Sequence, residues 1–175
     1  EKTGMKLNVV YASKGLAQRL ESEGKNTIAD LILTVDIGRL YIYKDKKLLA
    51  KINSKILNEN VPKHLRSKDG TWFGLSKRSR VIAVSKSSIK EGEIKRYEDL
   101  AKTKWQGKVC SRPGSHVYNR ALMSSLIAAH GYEKALKWAK GFVKNLAKRP
   151  QGNDRSQIKS IHSGECEIVI INHYY

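Results

Sequence analysis

Tyrosine is the side chain in this sequence with the clearest chemical use. The apolar run Ile168-Val169-Ile170-Ile171 reads as a buried strand, and Asn172-His173-Tyr174-Tyr175 comes directly after it. In an open α/β sheet, ligands bind just beyond the carboxyl ends of strands. Neighbouring strand residues point to opposite faces, so two adjacent phenols can reach one ligand only if the backbone leaves the strand there. Phenolate oxygen is a hard, anionic donor. It suits a small, highly charged cation such as ferric iron, and such a cation lowers the phenol pKa from about 10 so that the group ionises at neutral pH. The alternative is a pair of interfacial tyrosines with wet hydroxyls.

A spacing adds a third tyrosine. The interval from Cys110 to Cys166 equals that from Tyr118 to Tyr174, so the pattern Cys-x7-Tyr occurs twice, each time at the end of a strand-like run. If the two strands are parallel, each leads to a tyrosine at the same sheet edge, and three phenols meet around one point. The cysteines have no CxxC spacing and do not suggest zinc. Two strands of one sheet could bring them within bridging distance, and a disulfide suits an oxidising compartment. Buried free thiols are the other reading.

Charge is the second strong feature. With 34 basic and 16 acidic residues in 175, the net charge is +18. Such a balance points towards a polyanion. The lysines are scattered, however, with no arginine-rich block, and the denser patches are Lys63–Lys68 and Lys77–Arg80. A solvated basic surface explains them. Arg78 and Arg80 alternate on an expected strand and so share a face, either solvated or turned to a cleft. The five histidines show no catalytic spacing, and no glycine-rich phosphate loop is present. No apolar run is long enough for a transmembrane helix, and no signal peptide is visible.

The elements that must carry these residues read as β-α-β-α at first. Leu7 to Tyr11 is expected to be a strand, and Ser13 to cap a helix with Leu16 and Leu20 that stops at Gly24. Ile28 to Val35 reads as a strand buried on both faces, and Asp36 opens a helix through Leu40 and Tyr43. Pro62 interrupts the chain after that helix. Asp69-Gly70 marks a turn, after which Trp72–Leu75 and Arg80–Val84 read as paired strands. A short helix starts at Tyr97, and Val109-Cys110 is a strand. Ser115 is expected to cap a helix with Tyr118 and Asn119 in its first turn and a stripe of Leu122, Leu126 and Ala129. A second helix carries Leu136, Ala139, Phe142, Val143 and Leu146. Gln151 to Asp154 forms a loop and cap before Ile158 and Ile161, and the final strand begins after Gly164. The alternation favours an α/β fold with a parallel sheet. The opening Glu1-Lys2-Thr3-Gly4 reads as the tail of a helix already under way.

Several stretches together resemble the periplasmic ferric-iron-binding proteins, the solute-binding components of bacterial iron ABC transporters. They are Ala29–Leu40, Asp69–Ile82, Trp105–Cys110, Val117–Arg120, Pro150–Asp154 and Asn172–Tyr175, in the family's order and spread over nearly the whole chain. The resemblance implies a periplasmic-binding-protein-like two-lobe fold of type II. Residues 1–82 would be part of lobe 1 and 83–175 part of lobe 2. It implies Tyr118, Tyr174 and Tyr175 as ligands of ferric iron (Fe3+), with Arg78 and Arg112 as cations beside the phenolates that offset their charge. His173 has no counterpart ligand and is expected to be neutral to the site. Members begin with a strand and helix that supply a further ligand and continue past the tandem tyrosines. Against that pattern the sequence reads as a partial chain, lacking the first strand-helix and the C-terminal part.

The function expected on these grounds is binding without turnover. The protein would capture ferric iron in the periplasm at an interlobe cleft and deliver it to an inner-membrane ABC permease, as a monomer and without nucleic acid. Two alternatives stand beside it: a solute-binding protein of the same fold for a small anion such as phosphate, sulfate or a carboxylate, favoured by the charge and the helix start at Ser115, and a basic nucleic-acid-binding module.

Overall fold

A computed structural model describes residues 3–12 and 14–175. The cap expected at Ser13 and the helix tail expected to include Glu1 and Lys2 lie outside the described residues. The chain divides into two compact units, Glu1–Leu75 and Ser76–Tyr175.

The first unit is helical. Helix α1, Leu16–Glu23, carries Leu16 and Leu20 and ends at Gly24, whose φ of 52° a side chain would oppose and whose N–H closes on Leu20 O. Helix α2, Ile37–Asp45, starts at Asp36, whose carboxylate accepts from Gly38 N at 2.9 Å, and buries Tyr43. Helix α3, Lys55–Asn60, is capped by Ser54 and stops before Pro62. The two strands expected here do not form. Residues 7–11 and 28–35 belong to no strand. Their apolar side chains are exposed, Tyr11 at 90% and Ile28 at 86%. A run of apolar residues becomes a strand only when ladder partners satisfy its backbone and layers cover its faces, and neither is present beside these runs among the described residues. Trp72–Leu75 likewise makes only an isolated bridge, Arg66 to Phe73, and does not pair with the strand after it.

The second unit holds a three-stranded sheet. Strand β1 is Arg80–Val84, β2 is Val109–Cys110 and β3 is Ile168–Asn172, in the order β1-β3-β2. Strand β1 pairs antiparallel with β3, from Arg80 opposite Asn172 to Val84 opposite Ile168, while β2 runs parallel to β3. Between β2 and β3 lie helices α4, Val117–His130, α5, Tyr132–Lys144, and α6, Asp154–His162.

Every residue of β3 is buried. Its period of two divides the core. Ile168 and Ile170 face Leu100, Trp105, Val109, Leu122, Leu126 and Ala135. Val169 and Ile171 face Cys110 and Cys166. Those cysteines form a disulfide across the second core, so the bridged reading holds over that of free thiols. On α4 the inward stripe is Leu122 and Leu126, while Ala129 is exposed; on α5 Ala135, Trp138 and Phe142 pack inward and Val143 is exposed. The cap of α4 is His116, whose Nδ1 accepts from Tyr118 N at 3.2 Å, in place of the expected Ser115. Asn153 caps α6 by accepting from Ser156 N at 3.0 Å.

Candidate metal centre

The parallel pairing of β2 and β3 sets the site. Both strands run towards the same edge, and each leads to a tyrosine there. After β2, residues 111–116 turn the chain into α4, which carries Tyr118 in its first turn. After β3 the backbone leaves the strand at once: residues 173–174 form a turn closed by Tyr175 N donating to Asn172 O at 3.3 Å. That departure brings the rings of Tyr174 and Tyr175 to the same side, with centroids 4.8 Å apart. The three tyrosines expected from the sequence therefore belong to one cluster. Tyr118 and Tyr174 share one hydrogen-bond donor, and the three phenols influence one another electrostatically.

Arg78 joins two of them. Its Nη1 donates to Tyr118 Oη at 2.9 Å and to Tyr174 Oη at 3.2 Å. Asn172 Nδ2 donates to Tyr174 Oη at 2.8 Å. Three guanidinium groups face the Tyr118 ring, with central carbons 5.0 Å (Arg78), 5.5 Å (Arg80) and 5.0 Å (Arg112) from its centroid. Arg112 thus lies beside the cluster. Arg155 lies 5.4 Å from the Tyr175 ring. His173 Nδ1 accepts from Ser79 N at 3.1 Å, which holds its ring against the start of β1.

These surroundings divide the three phenols. Burial, together with donation to Tyr174, pushes Tyr118 above its ordinary value, although Arg78 opposes it. Burial also pushes Tyr174 up, but the hydrogen bonds it receives from Asn172, Arg78 and Tyr118 prevail and hold it below the ordinary value. Burial and the neighbouring Tyr174 push Tyr175 up. With oxygen donors from three phenols and cationic side chains around them, the arrangement can hold a hard, highly charged cation whose charge ionises the phenols.

Sequence reasoning missed the support beneath. Asp154, fully buried at the start of α6, accepts from Arg80 Nη1 at 2.6 Å and Arg112 Nη1 at 3.0 Å. Asn119 Oδ1 accepts from Arg80 Nη2 at 3.3 Å, and its Nδ2 donates to Arg112 O at 2.9 Å. The available signals were the alternation of Arg78 with Arg80 and the place of Asn119 directly after Tyr118. For Asp154 the signals were a helix start and its place at the end of the Pro150–Asp154 stretch that carries part of the resemblance.

The model of the bacterial extracellular solute-binding protein family matches residues 26–175. The chain belongs to that family. The expected periplasmic-binding-protein-like fold is borne out by likeness to solved members. One, from Trichodesmium, is described as IdiA or FutA in complex with iron and citrate ligands; it is 46% identical, with a TM-score of 0.93 over 99% of this chain and 55% of that one. Another, the apo ferric ion-binding protein A of Pasteurella haemolytica, is 42% identical with a TM-score of 0.91 over the same shares. In sequence the chain is 46% identical to iron uptake protein A1 of Synechocystis over 99% of its own length. The chain spans about half the length of the curated relatives it matches, 48% in that case.

Proposed function

We propose that this chain carries the phenolate part of a ferric-iron site, with Tyr118, Tyr174 and Tyr175 as ligands and Arg78 and Arg112 as the cations that offset their charge. The observation that carries the reading is the convergence of three phenols from the ends of two parallel strands, with one arginine donating to two of them. Iron is the cargo. The protein would bind it outside the cytoplasm, without turnover, and pass it to an ABC permease of the inner membrane. Residues 1–82 would supply part of one lobe and residues 83–175 part of the other. Relatives named for iron uptake and ferric-iron binding favour this reading over the small-anion and nucleic-acid alternatives.

The residues suit the task. Phenolates match a trivalent ion better than a divalent one, so reduction to the ferrous state weakens the hold, and protonation of the ligands does the same. Titration of the chain with a soluble ferric chelate is expected to develop a saturable visible band from phenolate-to-iron charge transfer. The band should be lost in Tyr174→Phe with Tyr175→Phe and weakened in Tyr118→Phe. A band that survives the double substitution unchanged would refute the ligand assignment.

A further inference from the structure

Among the described residues Asp154 makes no hydrogen bond to the three phenols, although its charge helps to raise Tyr175. Asp154 is fully buried, and both of its oxygens are occupied. Oδ1 accepts from Arg112 Nη1 at 3.0 Å; Oδ2 accepts from Arg80 Nη1 at 2.6 Å and from the Asn172 amide at 2.9 Å. Two routes lead from it to the tyrosines. Along the first, the carboxylate holds the Arg80 and Arg112 guanidiniums, which face the Tyr118 ring at 5.5 and 5.0 Å. The Nε of each is buried without a hydrogen-bond acceptor among the described residues, so the carboxylate is the main anchor of Arg112. Along the second, the backbone bond to Asn172, together with Arg80 Nη1 donating to Asn172 Oδ1 at 3.1 Å, fixes the residue whose Nδ2 donates to Tyr174 Oη. Asn172 is also the last strand residue before the tandem tyrosines.

A buried ion pair of this kind is a poor device for stability alone, because desolvating the charges costs about as much as their attraction returns. It is well suited to holding groups in one arrangement. We infer that Asp154 is the positioning residue of the tyrosine cluster, setting the Tyr118 ring through Arg80 and Arg112 and the Tyr174 hydroxyl through Asn172. As a role in iron binding this rests on the phenolate reading of the site. A neutral residue at 154 would leave two neighbouring guanidiniums without their shared anion, and they would separate.

The test is Asp154→Asn in the full chain, with Glu93→Gln, which breaks the exposed Lys104 ion pair, as a charge-matched control. Two readouts are needed. In the iron-free protein, the ring resonances of Tyr118 and Tyr174 and the Nε resonances of Arg80 and Arg112 are expected to shift in Asp154→Asn, while the methyl spectrum of the core stays in place; the control should move neither. With ferric chelate, the charge-transfer maximum should move and affinity fall at least about 10-fold, as for other groups that orient ligands from behind. Unmoved ring and guanidinium resonances overturn the inference whatever the iron result. A wild-type chain with no phenolate band, but with rings that move in Asp154→Asn, sinks the iron reading and keeps the positioning role. If Asp154→Asn fails to fold, Arg112→Gln leaves Asp154 neutralised by Arg80 and still removes one guanidinium from the ring; a Tyr118 ring that does not respond to it overturns the inference equally.

Discussion

Arg78 places one nitrogen between two phenol oxygens, a geometry that gains most when those oxygens are negative. Replacing it with glutamine keeps a donor and removes the charge. On the proposed reading, Arg78→Gln weakens ferric binding by about 10–100-fold, measured by competition against a chelator of known affinity; full retention would remove Arg78 from the site. The pH dependence has a definite sign. An ordinary phenol titrates near about 10 and burial pushes Tyr118 and Tyr175 higher, so these two carry their protons near neutrality when iron is absent. Binding must expel them, hence affinity rises with pH and falls as the solution is acidified. Chelator competition at a series of pH values checks this, and a flat profile would contradict phenolate ligation. The tyrosines were legible in the sequence because tandem phenols after an apolar strand are a local pattern. Asp154 was not, since its partners Arg80, Arg112 and Asn172 come from three distant segments and no local pattern announces a buried carboxylate.

Within the second unit, helices and sheet meet closely enough for small changes to register. Gly141 on α5 packs on the 3₁₀ turn Tyr97–Ala101, where an added Cβ would stand 2.9 Å from both Ala101 Cβ and Ala101 O. Alanine is the better helix former by about 1 kcal/mol. At this contact overpacking should prevail, and Gly141→Ala is expected to destabilise by roughly 1–3 kcal/mol in urea unfolding. A gain in stability would show that the turn yields freely. The same turn depends on Asp99. Lys102, then the Lys95 and Arg96 amides, hold its carboxyl down to about 2. A depressed value means that Asp99 contributes stability above the ordinary 3.8, and that this contribution is lost as pH falls towards about 2. Asp99→Ala should therefore cost about 1 kcal/mol at neutral pH, with the gap to the wild type narrowing across that acid window. Elements of this unit were readable from periodicity because each has a partner. Ser115 was misread as the cap of α4 because it looks like one in sequence, whereas the backbone orientation lets the next residue, His116, reach the Tyr118 amide.

Across the whole molecule, order is uneven. The second unit has a two-sided core around β3 and a bridge that closes a 56-residue separation. Removing the bridge by Cys110→Ser with Cys166→Ser should cost about 4 kcal/mol on the loop-entropy scale, read from the denaturation midpoint of the second unit. In the first unit Leu7, Tyr11, Ile28 and Leu33 are largely exposed. Hydrogen exchange should report that contrast. Amides of residues 168–172 are expected to be among the slowest, and those of 28–35 to exchange close to the rate of an open chain. Protection of 28–35 comparable to β3 would contradict the exposure of that segment.

Short-range chemistry was written in the order of residues: the helices from apolar spacing, the stop at Gly24, the cap at Asp36, the tyrosine donors and their recurrence after a cysteine. These depend on neighbours a few positions apart, which a single chain segment always has. Whether Leu7–Tyr11 and Ile28–Val35 form strands, whether Cys110 meets Cys166, and which carboxylate stands behind Tyr118 depend on what other segments lie alongside. Ladder hydrogen bonds, a disulfide and a buried ion pair each need two partners brought together by the fold, so only the folded arrangement of β1, β2, β3 and α6 could assign them.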